Sequence, residues 1–142
     1  MVKNKLSDKI MHFLGNNLTS MIMFGSQANE KNQKFSDLDL LVIVKSYKKC
    51  LKLDEFLQKE TKKEIDLHVL SEKDFADNLD PPSPLLATIA INNKIISDKN
   101  DFFSKKIAKV IQDVSKRNII YIGKRGEIWK VSKIAKNIMT MQ

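Results

Sequence analysis

Two carboxylates lie inside a run that otherwise reads as a buried β-strand, Ser36-Asp37-Leu38-Asp39-Leu40-Leu41-Val42-Ile43-Val44. Leu38 alternates with the pair, and five unbroken apolar residues follow Asp39, a pattern that argues against an Asp-rich turn. An unpaired buried carboxylate costs on the order of several kcal/mol, so it neutralises, finds a partner or holds a cation. Side chains two apart on a strand point to one face, about 7 Å apart along it. Asp37 and Asp39 therefore share a side of the sheet, where like charges repel unless a multivalent cation sits between them. Magnesium suits such a place, because it takes oxygen ligands and few protein carboxylates and leaves positions for substrate phosphates.

A third carboxylate occupies a second apolar run, Glu64-Ile65-Asp66-Leu67-His68-Val69-Leu70. If this strand pairs with the first, the backbones lie about 4.8 Å apart and Asp66 completes a three-carboxylate cluster on one sheet face. The 26 residues between Asp39 and Asp66 suffice for the rest of one strand, a helix and a return. Glu64 shares the face of Asp66 by period two and is its rival, but it stands nearer the polar start of the strand. His68 also falls on that face; a partly buried structural histidine is preferred to a site group. His12 reads as a surface residue.

Leu18 to Phe24 is an apolar-rich strand ending in Phe24-Gly25-Ser26-Gln27-Ala28. A glycine after a strand lets the backbone turn and approach a ligand closely. Ser26 adds a hydroxyl, and Gln27 to Lys31 can open a short helix whose free N–H groups attract phosphate. Ten residues separate Ser26 from Asp37.

Gly25-Ser26, Asp37-Leu38-Asp39 and the distant Asp66 on its own apolar strand resemble the nucleotidyltransferase superfamily that includes DNA polymerase β, and in particular its minimal prokaryotic members. The motif-bearing part covers about residues 18–70, and a weaker likeness continues through Ser83-Pro84-Leu85-Leu86 and Lys94-Ile95-Ile96-Ser97-Asp98. The resemblance implies an α/β (α+β) fold, a mixed β-sheet with flanking helices. It implies that Gly25 and Ser26 hold the nucleotide's β/γ phosphates. Asp37, Asp39 and Asp66 become the catalytic and metal-binding set, with two Mg²⁺ ions (or Mn²⁺) as cofactors and ATP as the substrate. Nucleotidyl transfer then places the acceptor's attack on the α-phosphorus.

The sequence departs from the family pattern after the Gly-Ser pair. Small members commonly read Gly-Ser-Arg-Ala-Arg-Gly, whereas this chain has Gly25-Ser26-Gln27-Ala28-Asn29-Glu30. Gln27 supplies no positive charge to a triphosphate, and Glu30 adds a negative one. Lys31 and Lys34 are the nearest compensating charges.

A chain of 142 residues with 42% hydrophobic content suits one domain with one core over 1–142. Its apolar stretches are strand-sized, so no membrane span is expected, and the N-terminus does not resemble a signal peptide. One cysteine, Cys50, excludes an internal disulfide framework and fits a reducing compartment, which makes the cytoplasm the expected location. Residues 1–101 hold 15 Lys/Arg and 15 Asp/Glu, while 102–142 hold 10 basic and 2 acidic residues. The net charge of +8 therefore belongs to the last third. Such asymmetry marks either a surface for nucleic acid or an acidic protein, or simply solvated lysine-rich helix faces.

Along the chain, Ser7 is expected to cap a first helix carrying Ile10, Met11 and Leu14 and stopped by Gly15. Strands are expected at about 18–24, 37–45 and 64–70, with a helix across roughly 48–61 built on Leu51, Leu53, Phe56 and Leu57. Ser71-Glu72-Lys73-Asp74 offers a capping-box-like start for a short helix. Asp80-Pro81-Pro82-Ser83-Pro84 breaks the chain. A helix over 85–91, a strand over 94–97 and a helix over 102–116 follow. The end has two readings, a hairpin of 119–122 with 127–131 around Gly123-Lys124-Arg125-Gly126, or a terminal helix carrying Ile128, Val131, Ala135 and Ile138. Met21 and Met23 read as core filler; Tyr121 and Trp129 read as core residues before base-stacking ones.

The expected function is Mg²⁺-dependent transfer of AMP from ATP to a hydroxyl acceptor. Minimal members of the resembled family act beside small helical HEPN toxins and adenylylate them as antitoxins, which makes a HEPN-type toxin or other protein the implied acceptor. The alternative from another class is a catalytically silent nucleotide- or partner-binding module of the same fold, or an RNA-binding one acting through the basic segment 102–142. Little chain remains for the substrate domain that a small-molecule acceptor requires.

Overall fold

Four strands form the central sheet: β1 (Leu18–Phe24), β2 (Leu38–Val44), β3 (Ile65–Ser71) and β4 (Asn93–Asp98), in the order β3-β2-β1-β4. The computed structural model describes residues 5–25, 38–50, 52–60, 65–116, 120–122 and 128–140. The helices are α1 (Lys5–Leu14), α2 (Leu53–Glu60), α3 (Glu72–Asp77), α4 (Pro84–Ile91), α5 (Phe102–Ser115) and α6 (Val131–Thr140). β1 runs antiparallel to both β2 and β4, and β2 runs parallel to β3. A parallel pair needs a crossover, and α2 lies within it. The mixed sheet with flanking helices is the fold class expected from the sequence.

Strand periodicity sorts the side chains into two cores. Leu40, Val42 and Val44 join Met21, Leu18, Cys50 and Leu53 beneath Ile10 and Leu14 of α1. Leu41, Ile43 and Ile22 face the other way, against Phe75, Leu86, Ile89, Phe103, Val110 and Val131 from the later helices. A register irregularity between Leu18 and Ser20 puts Leu18 on the Met21 side, since one extra residue inverts the alternation. β2 is central and covered on both faces, so Leu40 to Val44 are buried without interruption.

Several boundaries differ from the sequence reading. Ser7 lies inside the first turn of α1 and is itself buried, so it does not precede the helix as a cap. The helix expected over 48–61 splits into a 3₁₀ turn at Tyr47–Cys50 and α2. Gly15 does end α1, with φ +54°, a conformation that costs glycine little. Ser71 caps α3, its hydroxyl accepting from the Asp74 N–H at 3.0 Å, and Ser83 caps α4 with Pro84 in the first turn.

The two readings of the chain's end are both present. β5 (Tyr121–Ile122) pairs antiparallel with β6 (Ile128–Trp129), and α6 starts two residues later. Val131 and Ala135 are buried against α5, because α6 presents an apolar stripe that only a neighbouring helix can cover. Gly123 to Glu127, Ile119, Glu64, Leu51 and Met141 lie outside the described residues, as do the side chains of Leu57, Tyr121, Ile128 and Trp129.

Before α5 the chain turns through Asn100 and Asp101, both with positive φ. Asp98 secures this corner. Its carboxylate accepts from the Phe103 N–H (2.8 Å), the Ser104 N–H (3.0 Å), the Ser104 hydroxyl (2.7 Å) and the buried Ser20 hydroxyl (2.6 Å). Burial pushes the Asp98 carboxyl upward, but these hydrogen bonds outweigh it and hold the group below the usual carboxylate range. Among the described residues, no helix is long and apolar enough to cross a membrane.

Candidate active site

Phe24, Asp39 and Asp66 form a row across three neighbouring strands. Phe24 is the Cα partner of Asp39 on the β1–β2 side, and Asp66 is its partner on the β2–β3 side. Asp39 is in phase with Leu41 and Ile43, Asp66 with Leu70, and Phe24 with Ile22, so all three belong to the face covered by α3 to α6. Asp39 and Phe24 are half-buried, and the Asp66 side chain is 36% exposed, which leaves it open to a ligand. Sequence periodicity thus placed Asp39 and Asp66 correctly relative to each other, and the parallel pairing brings them side by side.

Gly25 closes the row from the β1 end. Its φ is +78°, and a Cβ built on it would overlap Oδ2 of Asp39. The absent side chain is what lets the strand end approach the carboxylate, where the sequence reading expected close approach to a ligand. The Gly25 carbonyl accepts from Asn92 Nδ2 at 3.3 Å, so the residue capping the C-terminus of α4 also holds the turn. Nothing local in the sequence marks Asn92 for this, because the contact spans 67 positions.

His68 belongs to the same face. Its Nε2 lies 3.4 Å from Asp66 Oδ2, with the imidazole side chain 33% exposed. The imidazole ring packs on Phe24, centroids 5.6 Å apart. The sequence reading preferred a structural role for this histidine, although period two already put it on the Asp66 face.

Ser26, Asp37 and the altered stretch Gln27 to Lys34 lie outside the described residues. Among the described residues, no group of three or more His, Cys, Asp and Glu side chains comes together as a metal site. The donor chemistry of the row nevertheless fits a hard divalent cation: Asp39 and Asp66 offer carboxylate oxygens from adjacent strands on one partly open face.

A family model described as "Nucleotidyltransferase domain" matches residues 5–97. A relative from Methanocaldococcus jannaschii, with the provisional name protein adenylyltransferase MJ1305, is 27% identical over 139 residues, covering 94% of each chain. A crystal structure of a toxin–antitoxin MntA–HpeT mutant is similar over 82% of this chain and 89% of that one, with a TM-score of 0.56 at 16% identity. A complex of a tri-AMPylated HEPN toxin from Shewanella oneidensis with an MNT antitoxin is similar over 78% and 82%, with a TM-score of 0.50 at 16% identity. The chain belongs to the nucleotidyltransferase domain family.

Proposed function

We propose that this family member transfers AMP from ATP to a hydroxyl group on a protein, with residues 1–142 acting as a single nucleotidyltransferase domain. The observation that carries the reading is the in-register pairing of Asp39 with Asp66 beside the tight Gly25 turn. Two carboxylates on adjacent strands of one partly open face repel each other, and a divalent cation between them would offset that repulsion. The protein acceptor is supported by the name of the archaeal relative and by the AMPylated HEPN toxin held by a similar fold.

Asp37, Asp39 and Asp66 would hold the divalent cations, and Gly25 with Ser26 would let the backbone take the β/γ phosphates. Magnesium bound at such a site lowers the pKa of an attacking hydroxyl and neutralises charge on the triphosphate and departing pyrophosphate. The acceptor oxygen attacks the α-phosphorus, its new P–O bond forms as the bond to the β-phosphate oxygen breaks, and pyrophosphate leaves. Asp66, at the solvent-open edge of the row, takes the acceptor's proton. Gly25 serves the triphosphate by shape, since a side chain there would displace Asp39.

Incubation of the chain with α-labelled ATP, Mg²⁺ and a lysate of the source cells tests the reading. A labelled protein band that disappears with Asp39→Asn supports transfer. Nucleotide binding without label on any acceptor favours the silent-module reading, which Gln27 and Glu30 in place of the family's Arg and Gly support.

A further inference from the structure

Asp66 has a neighbour that the family's acidic motif does not contain. His68 Nε2 stands 3.4 Å from Asp66 Oδ2, two residues along the same strand and on the same face. On its own, an imidazole beside a carboxylate at this distance is a common surface pair. Here the ring is also packed against Phe24, the residue that leads into Gly25 and pairs with Asp39. The histidine therefore joins the strand end that carries the turn to the carboxylate on β3, across the width of the row.

We infer that His68 is a positioning residue that engages Oδ2 of Asp66 and orients the carboxylate that, with Asp39, would hold a divalent cation. This rests on the proposed function of the row. An Asp side chain rotates about two bonds, and each contact that restrains it removes part of the entropy that cation binding would otherwise cost. Groups that orient metal-ligating side chains typically change metal affinity by about 10–100-fold when removed. Packing against Phe24 restricts rotation of the imidazole. His68 acts through Asp66 and touches no reacting atom.

The experiment is titration of the 142-residue chain with Mn²⁺ in the absence of nucleotide, following free Mn²⁺ by electron paramagnetic resonance. The variants are Asp39→Asn, His68→Phe and His68→Gln. His68→Phe keeps a ring against Phe24 and removes the nitrogen; Gln places an amide nitrogen close to where Nε2 stood. We expect the parent to bind Mn²⁺, Asp39→Asn to bind it at least tenfold more weakly, and His68→Phe to weaken it about tenfold or more. We expect His68→Gln to recover most of the affinity. Circular dichroism melts without metal check that the variants are folded. Mn²⁺ affinity of His68→Phe equal to that of the parent, with Asp39→Asn still weakened, overturns the role of His68 alone. A parent that binds no Mn²⁺, or binding unchanged by Asp39→Asn, overturns both this inference and the reading of the row. If Phe and Gln weaken binding equally, packing rather than the nitrogen is responsible and the inference fails.

Discussion

The α-carbon of Gly25 lies so close to the Asp39 carboxylate that any β-carbon there would overlap Oδ2. The strand end and the acidic residue are therefore built around each other. With φ at +78°, the position also demands a left-handed backbone that L-residues adopt at a cost of about 1 kcal/mol or more.

Gly25→Ala is accordingly expected to destabilise the fold by about 1–3 kcal/mol, combining backbone strain with displacement of Asp39. Transfer activity should fall at least tenfold, beyond what the unfolded fraction explains. Urea denaturation together with label transfer at a temperature where the variant is folded checks both. An alanine variant of unchanged stability would mean the turn relaxes freely.

Asp39→Asn is expected to abolish transfer while leaving the metal-free protein as stable as the parent, or more stable by up to about 1 kcal/mol. The sign follows from removing one of two like charges on paired strand positions, an interaction of about that size in a solvated setting. Melting curves recorded in chelator decide it. A drop of many degrees would show that the attractive contacts of Asp39 outweigh its repulsion with Asp66.

Asp98→Ala removes the acceptor for two backbone N–H groups at the start of α5 and for the hydroxyls of Ser20 and Ser104. The expected loss is about 2 kcal/mol, larger than for an exposed cap because the Ser20 hydroxyl is left buried. Equilibrium unfolding in urea measures it, and a change below about 0.5 kcal/mol would refute the assignment.

The same carboxylate gives a pH signature. Its folded pKa lies below the ordinary carboxylate value, so the unfolded chain binds more protons as the pH drops through that region. Its contribution is complete at neutral pH and is lost as pH falls from about 4 through the lower folded value. Unfolding free energies across this range should fall more steeply for the parent than for Asp98→Ala. Parallel profiles would contradict the depressed value.

Leu41→Ala is expected to cost about 2–5 kcal/mol, because Leu41 is fully buried between the central strand and the later helices. Ile95→Ala, at a side chain 42% exposed, should change stability much less. Thermal melts of the two variants give the contrast directly.

Much of the sheet was legible because Leu18 to Phe24 and Leu40 to Val44 are apolar runs of strand length bounded by clear breaks. Asp39 and Asp66 announced themselves by carrying charge into such runs. Helix ends were less legible. Ser7 looks like a cap, yet α1 begins before it, since cap chemistry says where a helix can start and packing of Ile10 and Leu14 decides where it does. The end of the chain resisted a single reading because Ile128 and Val131 suit either period, and two elements turned out to share the segment.

Residue chemistry alone established the alternation that puts Asp39 and Asp66 in phase with their strands, the glycine needed at the end of β1, and the concentration of positive charge after residue 101. Those features are local, and covalent spacing with side-chain type is enough to fix them. Tertiary structure decided that β2 and β3 run parallel with Asp39 opposite Asp66, that Asn92 holds the Gly25 carbonyl, and that Phe24 and His68 meet beside the acidic pair. Each of these joins residues far apart in the chain, and only burial of the two sheet faces beneath the helices sets the register that brings them into contact.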